Sequence, residues 1–198
     1  SGSDGGTAIG HGALATQNRD GSANTAIGYN ALTALRATGG GNYGGINNTA
    51  IGYEAGGSGV FGGGADGNGD DNTLLGYQTG KAITTGTNNT ILGASAGVAM
   101  TTGFENVLIG KGAGISMVAG NNSNVAIGYL ALDAATGGES YNVAIGSAAL
   151  SAENANATYC VAIGKDALLA QNADVKNTAI GGLACTTLTN GNYNTALG

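Results

Sequence analysis

The sequence is dominated by one segment, Asn-Thr/Val-Ala-Ile-Gly, which recurs in register along the whole chain. Eight of the ten intervals between successive copies are 17 or 18 residues, and the other two are 24. A fixed period of this kind indicates a repeat architecture in which each copy stacks on its neighbours. The closing glycines of the eleven copies are Gly10, Gly28, Gly52, Gly76, Gly93, Gly110, Gly128, Gly146, Gly164, Gly181 and Gly198.

Each copy has the composition of a short strand followed by turns. With the closing glycine as position 0, position −1 is always Ile or Leu and position −3 is always Thr or Val. These residues favour strands, and alternate residues of a strand share a face. A second strand-like piece follows, with Ala at +3 in all ten complete copies but one, where it is Thr79, and usually Leu at +4. The period therefore predicts two short strands and two turns, which suits one coil of an all-β β-solenoid of about ten 17–18-residue coils.

Composition removes several other classes of protein. The 198 residues include 40 Gly, no Pro and no Trp, and 9% are charged. A helical bundle needs charged outer faces, and collagen needs Pro and a glycine at every third place. The net charge is −6 and the six bases are scattered, so we expect no nucleic-acid partner. No apolar run approaches the length of a membrane span, so we expect no membrane insertion.

A column of asparagines precedes the strands. Position −4 is Asn in nine of eleven copies, with Gly6 and Cys160 as the exceptions. Stacked coils would bring these side chains within about 4.8 Å of one another, so their amides could bond from coil to coil. The alternative is that Asn merely tolerates the dihedral angles of a turn. We favour a structural ladder, and the residues chosen to represent the repeat are Asn24, Ile27, Gly28, Asn124, Ile127, Gly128, Asn142, Ile145 and Gly146.

Large and small residues trade places between two columns. Position −2 is Ala in most copies but Leu74, Ile91 and Leu108 in three, and the same three copies have Gly instead of Leu at +4. Packed layers conserve volume in this way, so we expect the −2 and +4 columns to share one layer. We expect the −1 column to fill the coil and the −2 column to face outward. Leu74, Ile91 and Leu108 are then candidate interface residues between chains, since an exposed apolar layer should be covered.

The segments 24–32, 124–128 and 142–146 resemble two related repeats. One is the head repeat of trimeric autotransporter adhesins, and the other is the NTAIGYNAL repeat of bacteriophage tail fibres. The resemblance covers residues 7–198 and implies a left-handed parallel β-roll assembled as a homotrimer. The period here is longer than the roughly fourteen residues of the adhesin heads, which favours the fibre group. We therefore interpret residues 1–198 as a single repeat array, a segment of a longer fibre that is extracellular, on a virion tail or a bacterial surface.

One acidic, glycine-rich stretch is a candidate metal site. Asp66, Asp70 and Asp71 lie in the segment 62–72 and could hold Ca²⁺ through oxygen ligands. The spacing matches neither an EF-hand nor the repeated calcium nonapeptide. The alternative is a solvated insertion with Asx turns, which we favour.

Aromatic residues mark candidate binding positions. The two 24-residue intervals place insertions near 36–47 and 57–71, with Tyr43 and Phe61 at their tips. Such loops could stack on the sugars of a surface glycan, or they could pack idly on their own coil. Position +1 is a tyrosine in four copies, which would give either a partial exposed aromatic column or a covered turn edge: Tyr29, Tyr53, Tyr77 and Tyr129.

Nothing in the sequence has the pattern of a catalytic or cofactor site. His11 is the sole histidine and has no partner acid or thiol in its own copy. Cys160 and Cys185 occupy different columns, so we expect no disulfide. We expect no enzyme activity and no cofactor, with the Ca²⁺ alternative left open.

These observations predict a structural and adhesive fibre segment that binds itself as a homotrimer and presents a surface to a host glycan or protein receptor. The second hypothesis is the head domain of a bacterial trimeric adhesin that binds host surface or matrix. A glycan-cleaving tailspike is less favoured because the acids are sparse. An ice-binding solenoid is less favoured because Val replaces Thr at −3 in the copies from Val107 to Val161.

Overall fold

The chain forms one parallel β-sheet that grows by one strand for each copy of the repeat. The structure, a computed structural model, describes residues 5–15, 23–33, 45–57, 69–152, 157–170, 176–189 and 191–198. These ranges contain eleven three-residue strands and no helix. The strands pair in chain order, each with the strands of the previous and the next copy. They are β1 Thr7–Ile9, β2 Thr25–Ile27, β3 Thr49–Ile51, β4 Thr73–Leu75, β5 Thr90–Leu92, β6 Val107–Ile109, β7 Val125–Ile127, β8 Val143–Ile145, β9 Val161–Ile163, β10 Thr178–Ile180 and β11 Thr195–Leu197. The predicted all-β parallel solenoid is confirmed.

The register between coils does not drift along the array. Position −2 of each strand lies opposite position −2 of the next, as in the pair Ala126 and Ala144, even across the two longer intervals. Extra residues in a coil are therefore accommodated outside the strand.

The closing glycine is required because successive coils meet there backbone to backbone. Gly28 and Gly128 have φ of 133° and 140°, a region that L side chains rarely adopt. A Cβ atom at Gly28 would lie 2.4 Å from the carbonyl oxygen of Gly52, and one at Gly128 would lie 2.5 Å from that of Gly146. The invariance of position 0 thus follows from both the dihedral angles and the close approach of the next coil.

The face of each strand that lies inside the coil is the opposite of the one that the sequence suggested. The −2 side chains fill the coil, and Ala126, Leu74 and Ile91 are fully buried. The −1 side chains face outward, and Leu75 is 44% exposed. The prediction that the −1 column fills the coil was wrong. Leu74, Ile91 and Leu108 are consequently interior residues of one chain, and their assignment to an interface between chains was wrong as well.

The predicted sharing of a layer between the −2 and +4 columns is confirmed, and it explains the orientation. A Cβ atom at Gly80 would lie 2.9 Å from Cδ2 of Leu74, so the +4 position reaches the −2 side chain across the inside of the coil. Where +4 is Leu, as at Leu132, that side chain is buried and leaves room only for Ala at −2. The narrow interior of these coils holds one large residue of the pair, whereas the Gly52 copy has small residues at both positions, Ala50 and Gly56.

A third column contributes to the same layer and was missed by the sequence analysis. Position +7 supplies Ile83, Met100 and Met117, which are fully buried in the three coils that combine Gly at +4 with a large residue at −2. A Cβ atom at Gly114 would lie 2.5 Å from Sδ of Met117. Two large side chains therefore occupy the space that Leu fills elsewhere.

The predicted second strand does not form. Positions +2 and +4 are left-handed in most coils, with φ of 52° at Asn30 and 46° at Leu32. An extended strand cannot include such residues. The backbone still bonds from coil to coil through this turn, for example from the amide of Leu132 to the carbonyl of Ala149 at 3.0 Å. One strand and a hydrogen-bonded turn ladder replace the two strands expected.

The volume trade can be tested by transferring it to another coil. We expect Ala126→Leu alone to lower the free energy of unfolding by about 1–3 kcal/mol because the interior is already filled by Leu132. Adding Leu132→Gly should recover part of this loss, giving a coupling energy of about 0.5–3 kcal/mol in a double-mutant cycle. Chemical denaturation measures each variant, and Tyr129→Phe on the exposed edge is the control. Additive effects of the two substitutions would contradict the shared layer.

Candidate functional site: the stacked columns of the solenoid

The asparagine column forms a continuous ladder inside the coil. The Oδ1 atom of Asn106 accepts the backbone amide of Asn124 at 3.0 Å and its side-chain Nδ2 at 3.1 Å. The Nδ2 atom of Asn106 donates to Oδ1 of Asn89 at 3.0 Å and to the carbonyl of Asn121 at 2.8 Å. Every polar position of the amide is thus used, which is what burial requires. These are the coil-to-coil bonds expected from the sequence.

The same pattern runs through most of the array. The side-chain oxygen of one asparagine accepts the backbone amide at position −4 of the next copy from Asn24 to the amide of Cys160. Cys160 is fully buried in the column but contributes a thiol instead of an amide, 3.8 Å from the carbonyl of Thr158. The ladder is present again between Asn177 and Asn194. Its role is structural: it holds successive coils in register.

The outward face of the sheet is an apolar ribbon. It consists of the −3 and −1 side chains of all eleven strands, none of which is fully buried. Eleven strands at a spacing of about 4.8 Å, each about 10 Å long, give a ribbon of about 50 by 10 Å. Position −3 is Thr in seven copies and Val in four, so the continuous apolar part of this ribbon is the −1 column of Ile and Leu. We call this surface the sheet face, and it lies on the side of the coil opposite to the one expected.

One edge of the sheet face carries an aromatic stack. The rings of His11, Tyr29, Tyr53 and Tyr77, all at position +1, follow one another at centroid distances of 5.3 Å with interplanar angles of 9–12°. The tyrosines are about half exposed. These tyrosines therefore form a partial exposed aromatic column and do not cover the turn edge. Tyr129 lies farther along the same column and has no stacking partner in the described ranges.

A second aromatic column lies on the other edge, at position −5. Tyr141 and Tyr159 stack at 4.9 Å, and the Lys176 ammonium lies 5.8 Å from the ring centroid of Tyr159 and 5.3 Å from that of Tyr193. The lysine thus fills the place of a missing ring between two tyrosines. Sequence analysis missed this column because tyrosine enters it only in the later copies.

Charged groups beside the first stack are paired with each other. Nζ of Lys81 lies 2.7 Å from Oε2 of Glu54, and Gln78 donates to the same oxygen at 2.8 Å. Two hydrogen bonds lower the pKa of Glu54: the larger effect comes from Lys81 and the next from Gln78. The negative charge of Glu54 in turn raises the pKa of Tyr53. Lys165 and Asp166 form the other ion pair among the described residues.

The acidic stretch is described in part. Asp66 and the insertion tips Tyr43 and Phe61 lie outside the described residues. Asp70 Oδ1 accepts the backbone amide of Ile46 at 2.9 Å, and Asp71 Oδ1 accepts Nδ2 of Asn47 at 3.0 Å. Among the described residues, no three acidic, histidine or cysteine side chains are grouped as metal ligands. The calcium site stays a prediction.

The remaining reactive side chains lie apart from one another. His11 stacks on Tyr29, which assigns it to the aromatic column. Cys160 is buried, Cys185 is partly buried against the core, and both are free thiols. The structure brings none of these groups to the acidic stretch.

Comparison of the chain with protein-family models, with curated proteins and with solved structures gave no match. No helix within the described ranges has the length and apolarity to cross a membrane.

Removing one amide from the ladder should be costly. We expect Asn106→Ala to lower the free energy of unfolding by at least about 2 kcal/mol, because the amide of Asn124 and the carbonyl of Asn121 lose their buried partners. Asn106→Asp keeps the shape but turns two donors into acceptors, so its loss should be large at neutral pH and shrink in acid as the carboxyl becomes protonated. Thermal melts of both variants and wild type at pH 7 and pH 4 measure this. Equal losses for Asn106→Asp at the two pH values would contradict the ladder.

A second prediction concerns Asp133, at position +5. Burial raises the pKa of its carboxyl, and Oδ1 is buried without a hydrogen-bond partner in the described part of the chain. The folded-state pKa of Asp133 lies above its unfolded value. The free energy of unfolding therefore falls as the pH rises above the unfolded-state pKa, because the buried carboxyl must then be charged. We expect Asp133→Asn to melt at a higher temperature than wild type at pH 7, and this advantage to vanish near pH 4. An unchanged difference across that interval would contradict the desolvation of Asp133.

Proposed function

We propose that this chain is a structural and adhesive fibre segment: a stiff homotrimeric rod of left-handed parallel β-rolls, about ten coils long, that presents a receptor-binding surface outside the cell. The observation that carries the proposal is the sheet face. A continuous ribbon of Ile, Leu, Val and Thr lies uncovered on a chain in which 9% of residues are charged.

The chemistry of the sheet face favours a second and third copy of the same chain as its cover. The face has the same repeat along its whole length, and so would an identical partner, so apolar columns could meet in register over the full rod. A coil also encloses few large side chains, since Ala fills most of its −2 and +3 positions. Small cores are marginal alone, and burial of the −1 column between chains would add the missing apolar contact.

The mechanical part of the proposal follows from the ladders. Successive coils are bonded through the strand and the turn, and most of them also through the asparagine column, so bending the rod would stretch many hydrogen bonds at once. Eleven strands at about 4.8 Å give a reach of about 50 Å for this segment. Three chains would also present each exposed edge column three times, which supports avidity toward a repetitive receptor.

A phage tail fibre is the first candidate because the segment 24–32 resembles its repeat and the period of 17–18 residues exceeds that of adhesin heads. The head domain of a bacterial trimeric adhesin is the second candidate, since it would use the same sheet face as its interface. Both candidates assign a structural role, without catalysis, to the columns described above.

The assembly can be tested by charging the sheet face. We expect the wild-type chain to have about three times the 18.9 kDa mass of one chain in multi-angle light scattering. The double variant Ile127→Lys, Ile145→Lys should lower that mass or abolish folding at low concentration, because two lysines per chain would be buried in the interface.

Ser147→Lys is the matched control, because Ser147 is partly exposed in the turn that follows β8, and this variant should leave the mass unchanged. A wild-type chain that is monodisperse at 18.9 kDa would contradict the trimer.

A further inference from the structure

The aromatic stack of the +1 column is interrupted at Ala94, although the backbone hydrogen bonds of the column continue. Every +1 carbonyl from His11 to Tyr77 accepts the amide at position +2 of the next coil at 2.8–2.9 Å, and Ala94 continues the series with a bond of 3.0 Å from the amide of Gly112. The column therefore passes through Ala94 without a change of register. The ring stack ends at Tyr77, because the next place along the column holds a methyl group.

No ring of the described residues stacks on the face of Tyr77 toward Ala94. The centroids of successive rings in this column are 5.3 Å apart. The space beside Tyr77 at the level of Ala94 is therefore as thick as one ring. The Tyr77 side chain is 52% exposed, and Ala94 is partly exposed. In the other column the corresponding interruption is filled by Lys176, which lies against two tyrosines. Ala94 is too short to do this.

The far side of the interruption carries a cation. Lys111 is the next +1 residue after Ala94 and is exposed. The ion pairs of the described residues involve Lys81 and Lys165, and the cation–ring contacts involve Lys176, so Lys111 takes part in neither. Glu54, which lies beside the stack at position +2, is paired with Lys81. An aromatic face, a ring-sized opening and an ammonium that no described residue pairs thus follow one another along the column.

From this arrangement we infer that Tyr77, Ala94 and Lys111 form a binding slot for one acidic sugar unit of a surface polysaccharide. The carbon–hydrogen face of a six-membered sugar ring would lie on Tyr77, and its carboxylate would accept a hydrogen bond from the Lys111 ammonium. A neutral sugar would make the first contact and lack the second. The inference rests on the proposed receptor-binding function and names the ligand class for it.

The chain contains an internal comparison for this slot. Tyr129, Ser147 and Lys165 repeat the same order of aromatic, small and basic residues along the +1 column. There, however, the Lys165 ammonium is paired with Asp166. We therefore assign acidic-sugar binding to the slot at Ala94 and expect little from the one at Ser147.

The test uses a galacturonate hexasaccharide as the acidic probe and maltohexaose as the neutral one, with saturation-transfer NMR and calorimetry on the whole chain. Wild type should bind the acidic probe and show saturation transfer from tyrosine rings. Ala94→Tyr should weaken binding about tenfold or more by extending the stack into the slot, and Lys111→Gln should do so by removing the charge. Ser147→Tyr is the matched control and should bind as wild type does.

Ala94→Tyr should melt at or above the wild-type temperature, since it continues a stack already present, so its loss of binding would not reflect unfolding. Binding unchanged in Ala94→Tyr, equal binding of maltohexaose, or no binding by wild type would overturn the slot. Light scattering on the same samples separates the two proposals. A trimer that fails to bind removes the slot alone, whereas a monomer that binds removes the trimer and leaves the slot.

Discussion

Coil-to-coil hydrogen bonding at fixed register is the interaction on which the rest of this structure depends. The closing glycines allow backbones to approach until a Cβ at Gly28 would overlap the carbonyl of Gly52. At that separation the amide of Asn106 reaches both Asn89 and Asn124, and its remaining donor reaches Asn121. Neither feature works without the other, because a wider spacing would leave buried amides unpaired.

The fixed register turns each sequence position into a column, and the columns divide the work of the protein. Interior columns of Asn, Ala and Leu hold a single chain together. The sheet face turns the −1 and −3 side chains outward, and the edge columns at +1 and −5 carry exposed rings and cations. A single substitution such as Ala94 in a run of tyrosines changes the local chemistry of an edge while the ladder beneath it continues unbroken.

Much of this was predictable from the repeat. Strand positions, register, the asparagine ladder and the shared layer of −2 and +4 all follow from periodicity and from the exchange of Leu74 with Gly80. The sequence did not show which face of each strand is buried inside the coil. The large residue at −1 suggested a core position only because the coil was assumed to have room for it. The left-handed φ of Leu32 and the contribution of Met117 were likewise invisible to a pattern that looked for extended strands.

The sequence by itself indicated that the chain stacks in coils, since eleven registered copies of Asn-Thr/Val-Ala-Ile-Gly recur at intervals too short for a propeller blade or a strand–helix–strand unit and suit one coil each. The tertiary structure decided which face is inside. Alternation along a strand separates two sets of residues but does not say which set is buried. The volume available inside the coil decides that. A turn that brings Leu132 across the coil leaves space for Ala126 and none for Ile127, so the larger residue is turned toward whatever lies outside.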